Sequence, residues 1–376
     1  MAVNVAILRC KDYETRLVEG RVRQLLHLLG GIERFVSAGD RVLLKPNLLA
    51  TKTREEAVNT DPAVVRAVAK LVLEAGATPI IGDSPGVGSA KRNAGRCGIG
   101  AVASELGIPV VEFNESVPLE RKGRFPLELA GEALGADRII NLPKLKTHGQ
   151  MLMTLGVKNM FGCVIGKRKV QWHFKAGVNR QAFARMLVEI YQALSPQLTL
   201  IDGIVGMEGN GPSSGSPVSL GLLGASSDAV ALDAVVMHLI GLDPARLPTV
   251  VQAREMGIGE TDLKAISLLG DPVENLPGQA LRLPESADLE WGLPNFLLAP
   301  LKNSLTAFPL PDRQACTLCQ VCLEACPQHA LKIEKGSLTV DTRNCIRCFC
   351  CQELCPQNAM KTRQGWLLKL LKNKSS

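Results

Sequence analysis

Short apolar runs alternate with longer segments of helical periodicity over the first 270 residues. Apolar, β-branched runs bounded by turn residues are typical of buried strands. The predicted strands are Val3–Leu8, Arg41–Lys45, Thr78–Gly82, Val110–Phe113, Arg138–Leu142, Leu198–Asp202, Leu220–Gly224 and Leu263–Leu268. The predicted helices are Tyr13–Leu29, Asp61–Gly76, Ala94–Leu106, Gln181–Leu194, Ala229–Leu239 and Pro248–Met256. This alternation predicts an α/β fold with a parallel or mixed sheet flanked by helices.

The periodicity fades where prolines become frequent. They stand at Pro277, Pro284, Pro294, Pro300, Pro309 and Pro311. We interpret residues 277–311 as a connector that partly packs on the first domain. The predicted organisation is therefore an α/β domain over residues 1–276, the connector, a cysteine-rich domain over residues 312–362 and a tail over residues 363–376.

The cysteine-rich domain contains an internal repeat. Cys316, Cys319, Cys322 and Cys326 have the spacing C-x2-C-x2-C-x3-C before Pro327, and Cys345, Cys348, Cys351 and Cys355 repeat it before Pro356, 29 residues later. In bacterial two-cluster ferredoxins with this spacing, the fourth cysteine of each run ligates the other cluster. We therefore predict one [4Fe–4S] cluster on Cys316, Cys319, Cys322 and Cys355, and a second on Cys345, Cys348, Cys351 and Cys326. The domain should be a small α+β unit, with a hairpin of Leu331–Glu334 and Leu338–Asp341.

Zinc and disulfides are the alternative uses of these cysteines. Zinc needs four ligands per ion but does not call for a crossed three-plus-one pattern with prolines, so the spacing favours clusters. Cys350 falls outside the register and is predicted to be a bystander thiol. Cys10, Cys97 and Cys163 are predicted to be buried structural thiols.

Charge and the chain ends narrow the class of protein. The formal charge is +7; two clusters of about −2 each would reduce it to about +3 (7 − 4). No aromatic–basic pattern accompanies it, so we expect no nucleic-acid partner. The start carries no secretory signal, and no apolar run is long enough to span a bilayer. Many cysteines in a chain without a secretory signal suggest metal ligands rather than disulfides, which predicts a reducing, cytoplasmic location.

The tail is basic and amphipathic from Gly365 to Lys374. Such a segment can rest on a membrane surface. Packing of Trp366 and the leucines onto the body of the protein is the alternative that we favour.

Polar residues follow one predicted strand after another in the first domain. They are Lys45, Asn47, Asp83, Ser84, Lys144, Lys146, His148, Lys158, Asn159 and Asp202. Because ligands of open α/β sheets bind at the carboxyl edge of the strands, we expect these side chains to form a site there. Lysines suit an anionic substrate, and Asp or His suits proton transfer or a metal.

We assign two roles within this group. The predicted catalytic residues are Lys144, Lys146, His148, Asp83 and Asp202. The predicted substrate-binding residues are Lys45, Asn47, Ser84, Lys158 and Asn159. The competing interpretation is structural, because Lys-Pro-Asn and Asp-Ser-Pro-Gly are also good turn formers.

Three further segments are less specific. Gly162–Lys167 is one residue short of a P-loop and lacks its final Ser or Thr. Gly206–Gly215 could cradle a phosphate or simply form a tight turn. Lys167–Lys169 with His173 is a basic loop, for which a solvated surface is expected and anion binding is the alternative.

Several motifs of the first domain occur together in a known family. They are Leu43–Asn47, Gly82–Gly86, Asn141–His148, Leu155–Asn159, Ile201–Gly203 and Met207–Pro212. As a set they resemble domain-of-unknown-function family 362, and the resemblance covers about residues 1–270. It implies an iron–sulfur centre protein, in a family where many members carry a ferredoxin tail.

Our leading hypothesis is an iron–sulfur oxidoreductase whose two clusters exchange electrons with a small anionic substrate bound in the α/β domain. Tethering the electron donor raises its effective concentration at the substrate. One alternative is a non-catalytic electron carrier or scaffold that binds a redox protein partner. Another is a non-redox enzyme with structural or oxygen-sensing clusters.

Overall fold

The computed structural model describes residues 2–120, 123–166, 168–169, 172, 179–272, 281–284, 304 and 306–366. Its strands are β1 (Val3–Arg9), β2 (Arg41–Pro46), β3 (Thr78–Asp83), β4 (Val110–Glu112), β5 (Ser116–Pro118), β6 (Glu128–Ala130), β7 (Arg138–Leu142), β8 (Lys144–His148), β9 (Leu152–Thr154), β10 (Leu198–Glu208), β11 (Ser216–Ser226), β12 (Ile266–Gly270), β13 (Phe308–Pro311), β14 (Leu331–Glu334), β15 (Ser337–Val340) and β16 (Met360–Arg363).

The α-helices are α1 (Thr15–Leu28), α2 (Pro62–Glu74), α3 (Ala90–Cys97), α4 (Ile99–Leu106), α5 (Gly131–Leu134), α6 (Gly156–Asn159), α7 (Arg180–Leu194), α8 (Ala229–Leu239), α9 (Pro248–Met256), α10 (Val321–Glu324) and α11 (Cys350–Glu353). Short 3₁₀ turns lie at Ile32–Arg34, Met160–Cys163, Pro244–Arg246 and Leu263–Ala265.

One mixed sheet organises the first domain, with strand order β12-β1-β11-β10-β7-β2-β3-β4. The neighbours from β10 to β4 are parallel, whereas β11 is antiparallel to both β1 and β10. Strand β8 branches from β10 and pairs with β9. The predicted fold class is confirmed.

Side chains that alternate along the strands explain why both faces of the sheet are covered. Val42 and Leu44 of β2 pack in a cluster with residues of α1 to α4, whereas Leu43 between them packs in a cluster with residues of α7. Successive side chains of a strand point to opposite faces. An apolar run without polar interruptions therefore needs helices on both sides.

Two predicted elements differ in the structure. The helix predicted over Ala94–Leu106 is divided into α3 and α4, because Gly98 between them adopts a left-handed φ of 94°. The segment Lys144–His148, predicted as a polar stretch beyond a strand, is itself the buried strand β8. It is paired on both sides, with β10 and β9, which explains its burial.

The dicluster domain repeats its backbone after 29 residues. Strand β13 corresponds to β15, α10 to α11 and β14 to β16. The left-handed residues also recur, as Leu318 and Arg347, Gln320 and Phe349, and His329 and Asn358. The predicted hairpin is present as the antiparallel pair β14–β15. Strand β13, which lies in the predicted connector, pairs with β16.

Parts of the connector and the tail lie outside the described residues. Within the connector, Leu281 is buried, and the Gly209 N–H donates a hydrogen bond of 2.6 Å to the Arg282 carbonyl oxygen. In the tail, Trp366 is 63% exposed, so the expected packing of its ring on the body is not found. Among the described residues, no helix has the length and apolar character needed to cross a membrane.

Candidate functional site

A buried ion pair joins the carboxyl ends of two adjacent strands. Lys45 at the end of β2 lies 2.9 Å from Asp83 at the end of β3. The Asp83 carboxylate also accepts N–H bonds from Leu48 (2.7 Å) and Ser84 (2.9 Å). Gly162 packs so closely that a Cβ atom there would collide with Asp83 Oδ1. The pair is therefore a rigid part of the sheet edge.

A cavity of about 320 Å³ opens at this edge. Seven of the predicted site residues line it, namely Lys45, Asn47, Asp83, Ser84, Lys146, Lys158 and Asn159. The opposite wall belongs to the dicluster domain and consists of Val321, Glu324, Ala325, Cys350, Glu353 and Leu354. The cavity thus lies between the strand edge and helices α10 and α11. Its volume is at the small end of the range for ligand pockets.

Amide side chains hold Lys146 in place. Lys146 is fully buried and donates hydrogen bonds to Asn47 Oδ1 (2.8 Å) and to the Val58 carbonyl oxygen (2.7 Å). Asn47 Nδ2 in turn donates to Asn159 Oδ1 at 2.8 Å. Burial, followed by the charge of Lys158, lowers the pKa of Lys146 well below its usual value.

Lys158 and Thr154 present unused hydrogen-bonding groups to the cavity. Lys158 is 8% exposed, and its ammonium group has no hydrogen-bond or ion-pair partner within the described part of the chain. Burial lowers the pKa of Lys158, and Glu353 opposes this shift. Thr154 Oγ1 is likewise buried without a partner among the described residues. Asp233 fixes the turn that carries Lys158, accepting N–H bonds from Gly156 (2.7 Å) and Val157 (3.1 Å).

His148 lies at the boundary between the two domains rather than among the lining residues. Its Nδ1 accepts N–H bonds from Gln150 (3.1 Å) and Met151 (3.2 Å), so the ring proton resides on Nε2. Nε2 lies 3.5 Å from Glu353 Oε2. Burial lowers the pKa of His148 to about 4, and the imidazole is therefore neutral near pH 7.

The structure does not bring Lys144 and Asp202 to the cavity. Lys144 Nζ donates to Asp202 Oδ2 (2.9 Å) and to the Tyr13 hydroxyl oxygen (2.6 Å). The Tyr13 hydroxyl donates to Asp202 Oδ1 (2.6 Å), and the Asp61 N–H donates to Asp202 Oδ2 (2.9 Å). These mutually satisfied contacts tie β8, β10 and the start of α2 together.

The sequence analysis missed several cavity groups, namely Thr154 and two residues of α11. Cys350, predicted to be a bystander thiol, is 4% exposed and lines the cavity, and Glu353 lies one helical turn further on. The 29-residue repeat could have indicated both, because Val321 and Glu324 are their counterparts and also line the cavity.

Part of the basic loop also reaches the cavity. Lys169 lines it and donates to the Ser84 carbonyl oxygen, and burial lowers the pKa of Lys169 to about 8. Lys167 and His173 lie outside the described residues. The turn near residue 212 contributes Pro212 to the lining.

No three His, Cys, Asp or Glu side chains of the described residues are placed to hold a single metal ion.

The ligand cysteines gather in two crossed sets. Cys316, Cys319, Cys322 and Cys355 line one small cavity, and Cys326, Cys345, Cys348 and Cys351 line another, together with Cys350. These are the two predicted sets of ligands. In each set the fourth cysteine sulfur accepts a backbone N–H bond of 3.2 Å, from Ala330 to Cys326 and from Ala359 to Cys355. Four thiols with N–H donors to sulfur suit a [4Fe–4S] cluster.

Fold and site define an iron–sulfur protein in which the strand edge of an α/β domain faces a dicluster domain. Residues 42–238 match the family described as domain of unknown function DUF362, and residues 309–356 match the 4Fe-4S dicluster domain. The chain belongs to the DUF362 family. It carries two [4Fe–4S] clusters in its C-terminal domain, as the sequence predicted.

Two known proteins are similar to this chain. The thylakoid-associated protein sll1697 of Synechocystis sp. (strain ATCC 27184 / PCC 6803 / Kazusa) is 43% identical over 317 residues, which are 82% of this chain and 96% of that protein. The lactate racemase apoprotein from Thermoanaerobacterium thermosaccharolyticum superposes with a TM-score of 0.40 at 12% identity. That match covers 62% of this chain and 56% of the racemase, and at this TM-score it supports no argument.

Proposed function

We propose that this protein is an iron–sulfur oxidoreductase that exchanges electrons with a small anion bound between its two domains. The observation that carries the proposal is the shared cavity, in which buried lysines of the sheet edge face helices α10 and α11 of the dicluster domain. Because Cys322 and Cys351 lie on these helices, an anion in the cavity lies next to the elements that hold the clusters.

The side chains of the cavity have different roles in this proposal. Lys158 and Thr154 bind the anion, and the Lys45–Asp83 pair keeps the sheet edge rigid. Lys169, with a pKa of about 8, is suited to give a proton near neutral pH. When bound, each [4Fe–4S] cluster supplies one electron at a time.

The test is an anaerobic reductive titration with dithionite, followed by electron paramagnetic resonance (EPR). The reduced protein is mixed with a panel of small organic and inorganic anions, and loss of the cluster signals is timed. We expect at least one anion to reoxidise the clusters with saturable kinetics, and Lys158→Gln to abolish saturation. Lys264→Gln, at an exposed site, is the matched control. If no anion accelerates reoxidation, the oxidoreductase proposal is wrong.

The second candidate function is an electron carrier that binds a redox protein. The observation in its favour is that Cys319 is exposed, whereas its counterpart Cys348 is half-buried. A partner could therefore reach one edge of the dicluster domain directly. This candidate predicts fast electron exchange with an added ferredoxin or flavodoxin, together with no response to any small anion.

We also propose that the tail places the chain on a membrane surface, in place of the predicted cytoplasmic location. Its 43%-identical relative is named as thylakoid-associated, and the exposed ring of Trp366 begins the basic amphipathic tail. Trp, Leu and Lys residues in a basic amphipathic sequence suit a bilayer interface. Flotation with anionic vesicles should recover the full chain but not a variant ending at residue 364. Equal recovery of both chains would contradict this proposal.

A further inference from the structure

We infer that the anion is the carboxylate of a small monocarboxylic acid, held by the Lys158 ammonium group and the Thr154 hydroxyl. The inference rests on the proposed function and deepens it by naming the chemical class of the ligand and its anchor. It follows from three features of the cavity, namely its free donors, its charge balance and its apolar wall.

Elimination identifies the anchor. Lys45 is paired with Asp83 at 2.9 Å, and Lys146 donates to Asn47 and Val58. Lys169 donates to the Ser84 carbonyl oxygen. Among the described lysines of the cavity, this leaves Lys158 as the one whose ammonium group lacks a partner.

The Thr154 hydroxyl is the second free donor. Thr154 is 3% exposed, it lines the cavity, and its Oγ1 has no partner among the described residues. A buried hydroxyl or ammonium group without a partner costs folding free energy, and a ligand that accepts its hydrogen bond removes that cost. A carboxylate has two acceptor oxygens, so one can accept a hydrogen bond from the ammonium group and the other a hydrogen bond from the hydroxyl.

The charge balance selects a single negative charge. Four lysines line the cavity, at positions 45, 146, 158 and 169, and three carboxylates, at positions 83, 324 and 353. Their formal sum is at most +1 (4 − 3), because burial lowers the pKa of Lys146 well below its usual value, so the lining balances at most one added negative charge. A dianion would leave excess negative charge beside Glu353, whose side chain is only 17% exposed. Such like-charge contacts discriminate against the wrong ligand.

The remaining wall is suited to an organic body rather than to a bare inorganic ion. Apolar side chains line it at Leu49, Phe161, Pro212, Val321 and Leu354. Pockets with an apolar wall and a few convergent polar groups are typical of small organic ligands. The carboxylate would therefore face Lys158, with the rest of the molecule against these side chains.

The test measures binding, independently of electron transfer. Isothermal titration calorimetry would be run anaerobically on the full chain with both clusters present. Acetate, pyruvate and benzoate serve as monocarboxylate probes, and succinate and sulfate as dianion probes. We expect saturable binding of at least one monocarboxylate, at least about tenfold tighter than either dianion.

Two variants locate the anchor. Lys158→Met should weaken binding at least about tenfold, and Thr154→Val, which keeps the shape but loses the hydroxyl, should weaken it about fivefold. Lys264→Met at an exposed site should leave affinity unchanged. If Lys158→Met does not fold, Lys158→Arg, which keeps the charge, and Thr154→Val still test the anchor.

Three outcomes would overturn the inference. They are tighter binding of a dianion, no binding of any monocarboxylate, and an affinity that neither anchor variant changes. Monocarboxylate binding without cluster reoxidation would leave the inference standing and count against the oxidoreductase alone. Reoxidation by an anion that is not a carboxylate would support the oxidoreductase and overturn the ligand class.

Discussion

The two halves of the dicluster domain follow one backbone path in different surroundings. In the first half Cys319 and Glu324 are exposed, whereas in the second half Cys348 is half-buried and Glu353 contacts His148 of the α/β domain. Both halves nevertheless keep the same strand–helix–strand order and the same left-handed positions. The cluster-binding backbone is therefore the same in both surroundings, and side-chain differences decide which half makes hydrogen bonds to the α/β domain.

Among the described residues, the hydrogen bonds between the α/β domain and the dicluster domain are made by the second half, although both halves line the cavity. Ser213 Oγ donates a hydrogen bond of 2.8 Å to the Glu353 carbonyl oxygen, and Ser214 Oγ donates one of 3.1 Å to Asn358 Oδ1. Leu354 packs closely against Gly86: a Cβ atom at Gly86 would lie 2.8 Å from Leu354 Cδ2. The first half has Ala325 in place of Leu354, which is too short for such a contact. One helix of a duplicated domain thus became an interface.

The largest expected effect tests whether the halves share their clusters. Cys322→Ser and Cys351→Ser should each reduce iron from about eight to about four atoms per chain, because each removes one ligand from a different cluster. Cys322→Ser combined with Cys355→Ser should lose no more iron than the single variant. Cys322→Ser combined with Cys326→Ser should lose both clusters. Iron and sulfide analysis, together with EPR, measures how many clusters each variant keeps. Loss of both clusters in the variant that combines Cys322→Ser with Cys355→Ser would contradict crossed ligation.

The next effect is a pH dependence that arises at His148 of the α/β domain, where it contacts Glu353 of the second half. The pKa of His148 is about 4 in the folded protein and about 6.5 when unfolded. Below pH 6.5 the unfolded chain therefore binds the proton more readily, and stability falls as pH falls. The free energy of unfolding should fall by about 2 kcal/mol between pH 7 and pH 5, and His148 should add no pH dependence above pH 7.

Chemical denaturation at both pH values would measure this loss. His148→Gln should reduce the difference between the two values. His329→Gln, at an exposed position in the first half, is the control. Equal pH dependence in all three proteins would show that His148 does not carry it.

A smaller effect should distinguish the two equivalent glutamates. Glu353→Gln should lower the free energy of unfolding by about 1 kcal/mol, because its carboxylate lies near buried lysines and His148. Glu324→Gln should change it by less than about 0.5 kcal/mol, since that side chain is exposed. Equal effects in urea titrations would mean that the interface does not depend on the charge of Glu353.

The smallest effect concerns the cysteine that has valine as its counterpart. Cys350→Val makes the second half match Val321 of the first and should leave iron at about eight atoms per chain, because Cys350 is not a predicted ligand. Stability should change by less than about 1 kcal/mol, as for other substitutions that conserve volume. A loss of iron would identify Cys350 as a ligand.

Local sequence patterns predicted most of the strands and helices. Strand and helix types followed from periodicity, but Lys144–His148 did not, because its polar residues gave no apolar run although the strand is buried on both sides. Seven of the residues that the sequence grouped at the carboxyl edge of the sheet line one cavity, and their role as a site stays a prediction. The sequence could not separate Lys146 from Lys144, two positions away on the same strand.

The sequence by itself determined the α/β class and predicted the crossed cysteine sets, because spacing and periodicity are properties of neighbouring residues. Tertiary structure alone decided which lysine stays unpaired. Lys144 is paired with Asp202 and Tyr13, whereas Lys158 has no hydrogen-bond or ion-pair partner among the described residues and is influenced by the charge of Glu353, almost 200 residues away in the chain. Such partners are brought together by the packing of distant segments, and no local pattern carries that information.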